Sequence, residues 1–459
     1  MRVLNAVLVA SYDSTASLES LGPISITNAA PEYAKALLTE IEASGGIGRI
    51  VDEPEGSGTL ILTEGLSNIA PAERHYRALK SVLAVQTGVR TILLSRASSP
   101  ILAEIGGAAG LVRSLRQERP DAEACSISIA QDGNPGSVAS KVIQAMSLPN
   151  GDYSIQRNGI YLDVLGKDHL SSGVPEQQSD HTPIWLVSGG GRGVTADCTV
   201  ELARRTGGTF VLLGRSDVTP WPEWLPLERD LKTLRGLLAR SSGQPGVPGK
   251  PMEIDKYARR LLASLEISGT IASIEQAGAK ARYVQADIGD ANQLHAALQD
   301  IQNDLGPITG LVHGAGVLAD GIAGSLRLED FQKVFGPKVS GLENILASLD
   351  LNSLSHIALF SSASAVFGNE GQANYAAANE WLNNVALQLA RELPATQVKA
   401  FCWGPWQGGM VDEALARMFT ERGIRLIGKA EGARIFADQL LRSAHDQIRI
   451  VVGDDWGEE

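Results

Sequence analysis

The feature that most limits what this chain can become is a glycine cluster set between two elements of different periodicity. Ile184–Val187 is a short apolar run. Ser188-Gly189-Gly190-Gly191-Arg192-Gly193-Val194-Thr195 follows, and then an apolar-periodic helical stretch. Glycines in such a turn let the backbone bend sharply and approach a pyrophosphate, and the helix N-terminus supplies free N–H groups and positive potential. The strand before and the helix after separate this cluster from an ordinary tight turn. Ser188, Gly189, Gly191, Arg192, Gly193 and Val194 are therefore candidate dinucleotide contacts. A second cluster, Gly45-Gly46-Ile47-Gly48, follows a helical stretch and precedes a strand, which fits a helix C-cap better than a phosphate site.

Around the first cluster the alternation of strands and helices is regular. Strand cores are expected at Ile184–Val187, Thr209–Leu213, Ala281–Ala286, Thr309–His313, His356–Ser361, Val398–Trp403 and Ile448–Val452. Seven short strands separated by helices predict a parallel sheet covered on both faces, an α/β doubly wound unit over 184–459. One crossover is too long, and 217–274 reads as an inserted helical hairpin. A second α/β pattern occupies 1–165. Its strands are expected at Val3–Ala10, Thr59–Thr63, Thr91–Ser95, Ala124–Ala130 and Gly159–Val164, and its helices at Glu32–Ala43, Ala72–Val85 and Ile101–Glu118. Its first strand leads into Ser11-Tyr12-Asp13, with no glycine loop. Residues 166–183, polar and with two prolines, read as a linker. No internal repeat is apparent.

Three further positions suit a dinucleotide. The strand after the glycine loop ends in Leu213-Gly214-Arg215-Ser216, where an NAD enzyme usually carries an acid for the ribose 2′-hydroxyl. Arg215 suits a 2′-phosphate instead, with Arg192 as a second cation, unless it is a solvated surface arginine. That points to NADPH. Asp287, in Ala286-Asp287-Ile288, can accept from the adenine amino group, with Ile288 beside it and Ser216 beside Arg215 as further candidate cofactor contacts; the plainer role of helix N-cap fits Asp290 better. Gly314-Ala315-Gly316 would let a cofactor ribose lie close to the fourth strand, while His313 reads as a packed core histidine with no chemistry of its own.

Composition narrows the remaining classes. The 459 residues carry a net charge of −12, with no dense Lys/Arg run, so nucleic acid and anionic membranes are poor partners. The three cysteines, Cys125, Cys198 and Cys402, are scattered, and the seven histidines form no HxxxH or HExxH pair, so no metal is expected. No apolar run approaches the roughly 20 residues of a membrane span, and the opening apolar run breaks at Asp13, unlike a secretory signal. A cytoplasmic protein is expected, and the end at DDWGEE reads like a cut within a longer chain.

The strand His356–Ser361 runs into Ser362 and then Tyr375, thirteen residues on (375 − 362 = 13). The block FSSASAVFGNEGQANYAAANEWL closely resembles the active-site segment of the ketoreductases of type I polyketide synthases, within the short-chain dehydrogenase/reductase superfamily. The resemblance implies Tyr375 as general acid and Ser362 as hydrogen-bond donor to the carbonyl. Ordinary members of the superfamily place a lysine four residues after the tyrosine. Here Asn379 stands there, and Lys338 sits where the polyketide enzymes carry theirs (362 − 338 = 24). On physical grounds a neighbouring ammonium is expected to draw the Tyr375 phenol below its ordinary value of about 10.

VSGGGRGVTADC, VLLGRS and the long insertion are similar to ketoreductases of iterative synthases, especially those making polyunsaturated fatty acids or enediynes, although Thr195 replaces a family glycine. The N-terminal half is similar to the family's truncated Rossmann-like structural subdomain, with Ala109–Leu115 and Glu118-Arg119-Pro120 matching its late helix. The resemblance implies NADPH as cofactor, a β-ketoacyl chain on an acyl carrier protein as substrate, and neighbouring synthase domains as partners. Asp320 in Leu318-Ala319-Asp320 goes with D-hydroxy (B-type) products, and the tryptophan that marks L-hydroxy products is replaced by Phe367. Gln372 joins these as a substrate-side residue. Ala319 and Glu370 depart from the usual B-type pattern. Residues 410–426 are expected as a lid or a plain surface helix. Two other readings share parts of this pattern: a free-standing dehydrogenase for a small carbonyl compound, and a silent scaffold domain.

Overall fold

The computed structural model describes residues 182–408 without a gap and most of the rest. Residues 1, 9–17, 19–22, 28–29, 54–57, 65–68, 86–88, 98, 100–101, 122, 130–133, 147, 149–150, 157–158, 168–181, 409–410, 412, 422 and 455–459 lie outside the description. Most of the expected linker, and Ser11-Tyr12-Asp13, fall among these.

The described strands are β1 (Arg2–Leu8), β2 (Ile24–Thr27), β3 (Gly48–Val51), β4 (Thr59–Thr63), β5 (Arg90–Arg96), β6 (Ala124–Ile129), β7 (Asp152–Gln156), β8 (Gly159–Lys167), β9 (Ile184–Ser188), β10 (Thr209–Gly214), β11 (Lys280–Gln285), β12 (Gly310–His313), β13 (His356–Ser362), β14 (Gln397–Trp403) and β15 (Arg449–Val452). They join one ladder in the order β11-β10-β9-β12-β13-β14-β15-β1-β8-β7-β6-β5-β4-β2-β3. The first seven are mutually parallel, and so are the last six. Between them β1 pairs antiparallel with both β15 and β8, and β8 antiparallel with β7. Three reversals leave the two parallel sets pointing in opposite directions.

The fold is α/β with two Rossmann-like units, and the C-terminal one is the complete seven-stranded form. The set β3-β2-β4-β5-β6-β7 repeats its strand order with one strand fewer, β2 lying beside β4 as β9 lies beside β12. A repeat invisible in the sequence is thus present in the topology. β1 differs from expectation: it is the antiparallel seam between the units rather than the first strand of one of them. β9, β12, β13 and β14 are buried along nearly their whole length, as central parallel strands should be. β2, β3 and β7 were not expected, and β8 continues to Lys167, two residues into the expected linker.

One hydrophobic cluster spans both units, beside a further core in each. Leu60, Leu79 and Leu111 pack in the same cluster as Leu311, Phe331 and Trp381. Two helices meet across it, Ala108–Glu118 and Ala373–Glu392. Their approach is close enough that a Cβ at Gly107 would lie 2.0 Å from the Ala377 carbonyl oxygen. The expected helix over 101–118 is therefore broken: a 3-10 turn at Leu102–Glu104 ends, and the helix proper begins at Ala108.

The long crossover also differs from expectation. Helix Leu231–Arg240 and the first turns of helix Pro251–Gln276 form a hairpin around Leu234, Leu238, Ile254 and Leu261. The later turns of Pro251–Gln276 pack on helix Gly193–Thr206 and lead directly into β11, so 217–274 includes the ordinary crossover helix. No helix among the described residues is long and apolar enough to cross a membrane.

Candidate active site

The glycine loop leaves β9 and enters helix Gly193–Thr206. Gly189 (φ 73°) and Gly193 (φ 63°) hold left-handed conformations that favour glycine. A Cβ at Gly189 would lie 2.9 Å from Ala315 Cα, so this glycine lets the loop touch the end of β12. A Cβ at Gly193 would meet nothing within 4 Å, which leaves open space at the helix N-terminus. The far side is closed: Thr270 Oγ1 donates to the Gly191 carbonyl (3.0 Å), and a Cβ at Gly191 would meet Ile267. Val194 packs partly against the core of the C-terminal sheet. Thr195 fills the space beside Gly314, where a Cβ would sit 2.3 Å from the threonine hydroxyl. The residue that departs from the family loop is thus matched by a glycine opposite.

The loop fits a nicotinamide dinucleotide, and the next strand ends add polar groups around it. Arg215 is exposed at the end of β10, and Arg192 is half-exposed, 3.9 Å from Glu266 of the crossover helix. The Ser216 carbonyl accepts from the Tyr283 hydroxyl at 2.8 Å. Asp287 is exposed, its Oδ1 accepting from Gly289 N, while Asp290 caps the next helix through Asn292 and Gln293. Two expected contacts are placed otherwise. Ser188 turns its hydroxyl inward to His313 Nδ1 (2.8 Å). The Ile288 side chain lies in the core, and its carbonyl accepts from Asn344 Nδ2 (2.8 Å).

Lys338 lies on a π turn, Gly336–Ser340, between two short helices. This wide turn aims the side chain into the sheet end, where Nζ donates to the Phe360 carbonyl (2.9 Å) and sits 5.3 Å from the centre of the Tyr375 ring. A Cβ at Gly316 would lie 3.0 Å from Lys338 Cε, so Gly314-Ala315-Gly316 forms one wall of the lysine channel. Burial pushes Lys338 down to about 7. Asn379 Nδ2 donates to the Tyr375 carbonyl (2.8 Å), Ser361 Oγ to the Asn379 carbonyl (3.0 Å), and Asn379 Oδ1 is buried with no hydrogen-bond partner. Lys338, Tyr375 and Asn379 are thus linked at the end of β13, and Ser362 follows Ser361 on that same strand.

The Tyr375 phenol runs against expectation. Burial pushes it up to about 12; the nearby Asn379 only partly offsets this, and the charge of Asp320 adds to the rise. Desolvation of the phenolate is the largest cause of the rise.

Ser362 ends β13 and caps the short helix that follows. Its Oγ accepts from Ser364 N (3.1 Å) and from Ser364 Oγ (2.9 Å). Both lone pairs are therefore filled, and its own hydrogen is left to donate. On the substrate side Gln372 Nε2 donates to Asp320 Oδ2 (2.9 Å), and burial raises Asp320. Phe367 joins a small apolar cluster with Ala363, Cys402 and Val451. A helix, Glu413–Glu421, occupies the expected lid segment.

Three contributors escaped the sequence reading. Ser364 orients Ser362. Asn374 accepts from Tyr375 N and donates to the Ala319 carbonyl (both 2.8 Å), tying the tyrosine to the Asp320 loop. His313 Nε2 donates to the Lys338 carbonyl (3.1 Å) while Nδ1 accepts from Ser188. The two serines in Ser362-Ala363-Ser364 carried a readable signal; the other two contacts are purely tertiary.

Comparison with known proteins agrees with this geometry. Residues 184–408 match the KR domain family. The chain is 32% identical over 362 residues, 76% of its length, to one of the subunits of the polyunsaturated fatty acid synthase of Thraustochytrium sp. (strain ATCC 26185 / S-3), of which it spans 13%. It is 38% identical over 177 residues to polyketide synthase GfsE of Streptomyces halstedii, covering 36% of this chain and 4% of that one. The crystal structure of a ketoreductase domain from the bacillaene assembly line shares the fold at TM-score 0.65 and 19% identity, covering 98% of this chain and 96% of that one. The sheet with its glycine loop, the patch at its strand ends and these relatives together make residues 184–408 a KR domain, and the chain as a whole is similar to the ketoreductase regions of polyketide and polyunsaturated fatty acid synthases.

Proposed function

We propose that this chain reduces a β-ketoacyl thioester borne on an acyl carrier protein to the D-hydroxy product, using NADPH. A bound nicotinamide dinucleotide would supply the hydride. The backbone of Gly189–Gly193 and the helix behind it would hold the pyrophosphate, Arg215 and Arg192 the 2′-phosphate, and Asp287 the adenine edge.

The observation that carries this reading is the donor state of the patch. Ser362, with both lone pairs filled, has only a hydrogen to offer the carbonyl oxygen. As that oxygen gains negative charge, the Ser362 hydrogen bond stabilises it. Tyr375, pushed up to about 12, is a neutral phenol at physiological pH and holds the proton the forming alkoxide needs. An alkoxide is a far stronger base than a phenolate, so the transfer runs downhill. Lys338 beside the ring then stabilises the phenolate left behind. Asp320 and the absence of a tryptophan at Phe367 support the D-hydroxy product.

The test is NADPH oxidation with an N-acetylcysteamine β-ketothioester and chiral analysis of the product. Tyr375→Phe is expected to lower kcat about 10²-fold or more while NADPH still binds. Undiminished turnover in that variant would remove Tyr375 from its role, and an L-hydroxy product would overturn the stereochemical reading.

A further inference from the structure

We propose that Glu118, a residue of the N-terminal unit, is a positioning residue that sets the geometry of the substrate mouth; this rests on the ketoreductase reading above. Glu118 ends helix Ala108–Glu118. Its Oε2 accepts from Ala323 N (2.8 Å) and its Oε1 from Gly371 N (3.0 Å). Ala323 stands three residues after Asp320, and Gly371 stands just before Gln372 and four before Tyr375. One carboxylate therefore fastens the two loops that carry the Asp320–Gln372 pair.

Those loops touch each other directly through Gly321 N and the Gly371 carbonyl (2.8 Å) and through Gln372 and Asp320. Glu118 adds a brace from outside the catalytic sheet. Its neighbours on the helix continue that brace: Ser114 Oγ accepts from Asn369 N (3.2 Å), and Gln117 Nε2 donates to the Phe367 carbonyl (3.3 Å). A carboxylate in the last turn of a helix faces the negative end of the macrodipole, where it is disfavoured. Two charge-assisted bonds to backbone N–H groups offset that placement. Only a carboxylate presents two acceptor oxygens in this arrangement. Glutamine would accept from one loop and turn an NH2 group toward the N–H of the other.

The experiment compares the full chain with its Glu118→Gln and Glu118→Asp variants on a β-ketoacyl N-acetylcysteamine thioester. E118Q is expected to raise KM for the thioester about tenfold and to erode the enantiomer ratio of the product by a similar factor, through misplacement of the bound ketone. Its NADPH dissociation constant should stay at the wild-type value, and its melting temperature should fall by no more than about 3 °C. E118D, with both acceptors on a shorter arm, should fall between. An E118Q chain with wild-type KM and enantiomer ratio would overturn the proposal. So would one that loses NADPH binding and melting temperature along with activity, since Glu118 would then be structural only. A wild-type chain that reduces no ketothioester overturns the ketoreductase reading and this inference together; an active wild type with an indifferent E118Q overturns this inference alone.

Discussion

A single imidazole connects the end of β9 to the backbone of Lys338. The Lys338 carbonyl can only accept, so His313 carries its proton on Nε2 and receives the Ser188 hydroxyl at Nδ1. Burial, helped by the nearby lysine, pushes His313 down to about 3, against about 6.5 for the unfolded chain. Between those values the unfolded chain binds more protons than the folded one. The stability is present in full above about 6.5 and is lost as pH falls toward 3. Going from pH 7 to pH 5 should cost about 2 kcal/mol from this group alone. Urea unfolding at the two pH values checks this, and His313→Gln should flatten the pH slope by that amount. His356, also pushed down by burial, to about 4, contributes equally in both proteins. At the other end of the loop, Arg215→Ala should raise KM for NADPH about tenfold and leave NADH unchanged; steady-state kinetics with both cofactors decides.

At the level of elements, the helix Ala108–Glu118 does more than cover its own sheet. Arg113 donates to the Ala365 carbonyl and pairs with Glu380 at 3.3 Å, so the helix reaches the segment between Ser362 and Tyr375. Its start is set by Gly107, whose Cβ position is closed by a backbone carbonyl that has no flexible end to give way. Gly107→Ala is expected to cost about 1–3 kcal/mol through overpacking, read as a lowered melting temperature in calorimetry. This helix was visible in the sequence by its apolar period and by Pro120 after it. Its break at Gly107 was not, because the group that forbids a side chain there, the Ala377 carbonyl, comes from a distant part of the chain.

On the scale of the whole molecule, two units that look like beads on a string share one hydrophobic cluster. Trp381 and Leu111, from different units, pack in one cluster. Glu64 lies at the same junction, fully buried, with His75 at 2.6 Å, Arg74 at 3.5 Å and Gly107 N at 3.4 Å. Burial would raise the Glu64 carboxyl, but His75 and Arg74 outweigh it and hold it low. The stabilisation this gives is present above the ordinary carboxylate range and is lost as pH falls through it. Glu64→Gln, which removes the carboxylate facing the buried Arg74 guanidinium, should cost about 3 kcal/mol or more in chemical denaturation. A shared cluster also predicts that the full chain melts in one cooperative calorimetric transition rather than two.

Periodicity and turn chemistry are local, so the residues themselves determined the strands of the C-terminal sheet to within a residue or so and the glycine loop, while the choice of Lys338, Ser362, Tyr375 and Asn379 as the set to watch came from the resemblance of their spacing to a known family. Tertiary structure alone decided that β1 is a seam, that Ser188 and Ile288 turn inward, and that the phenol rises instead of falling. Each of those depends on what lies across space from a group: a neighbouring strand edge, an imidazole acceptor, or the absence of water around a charge. None of these is written in the order of the residues beside it.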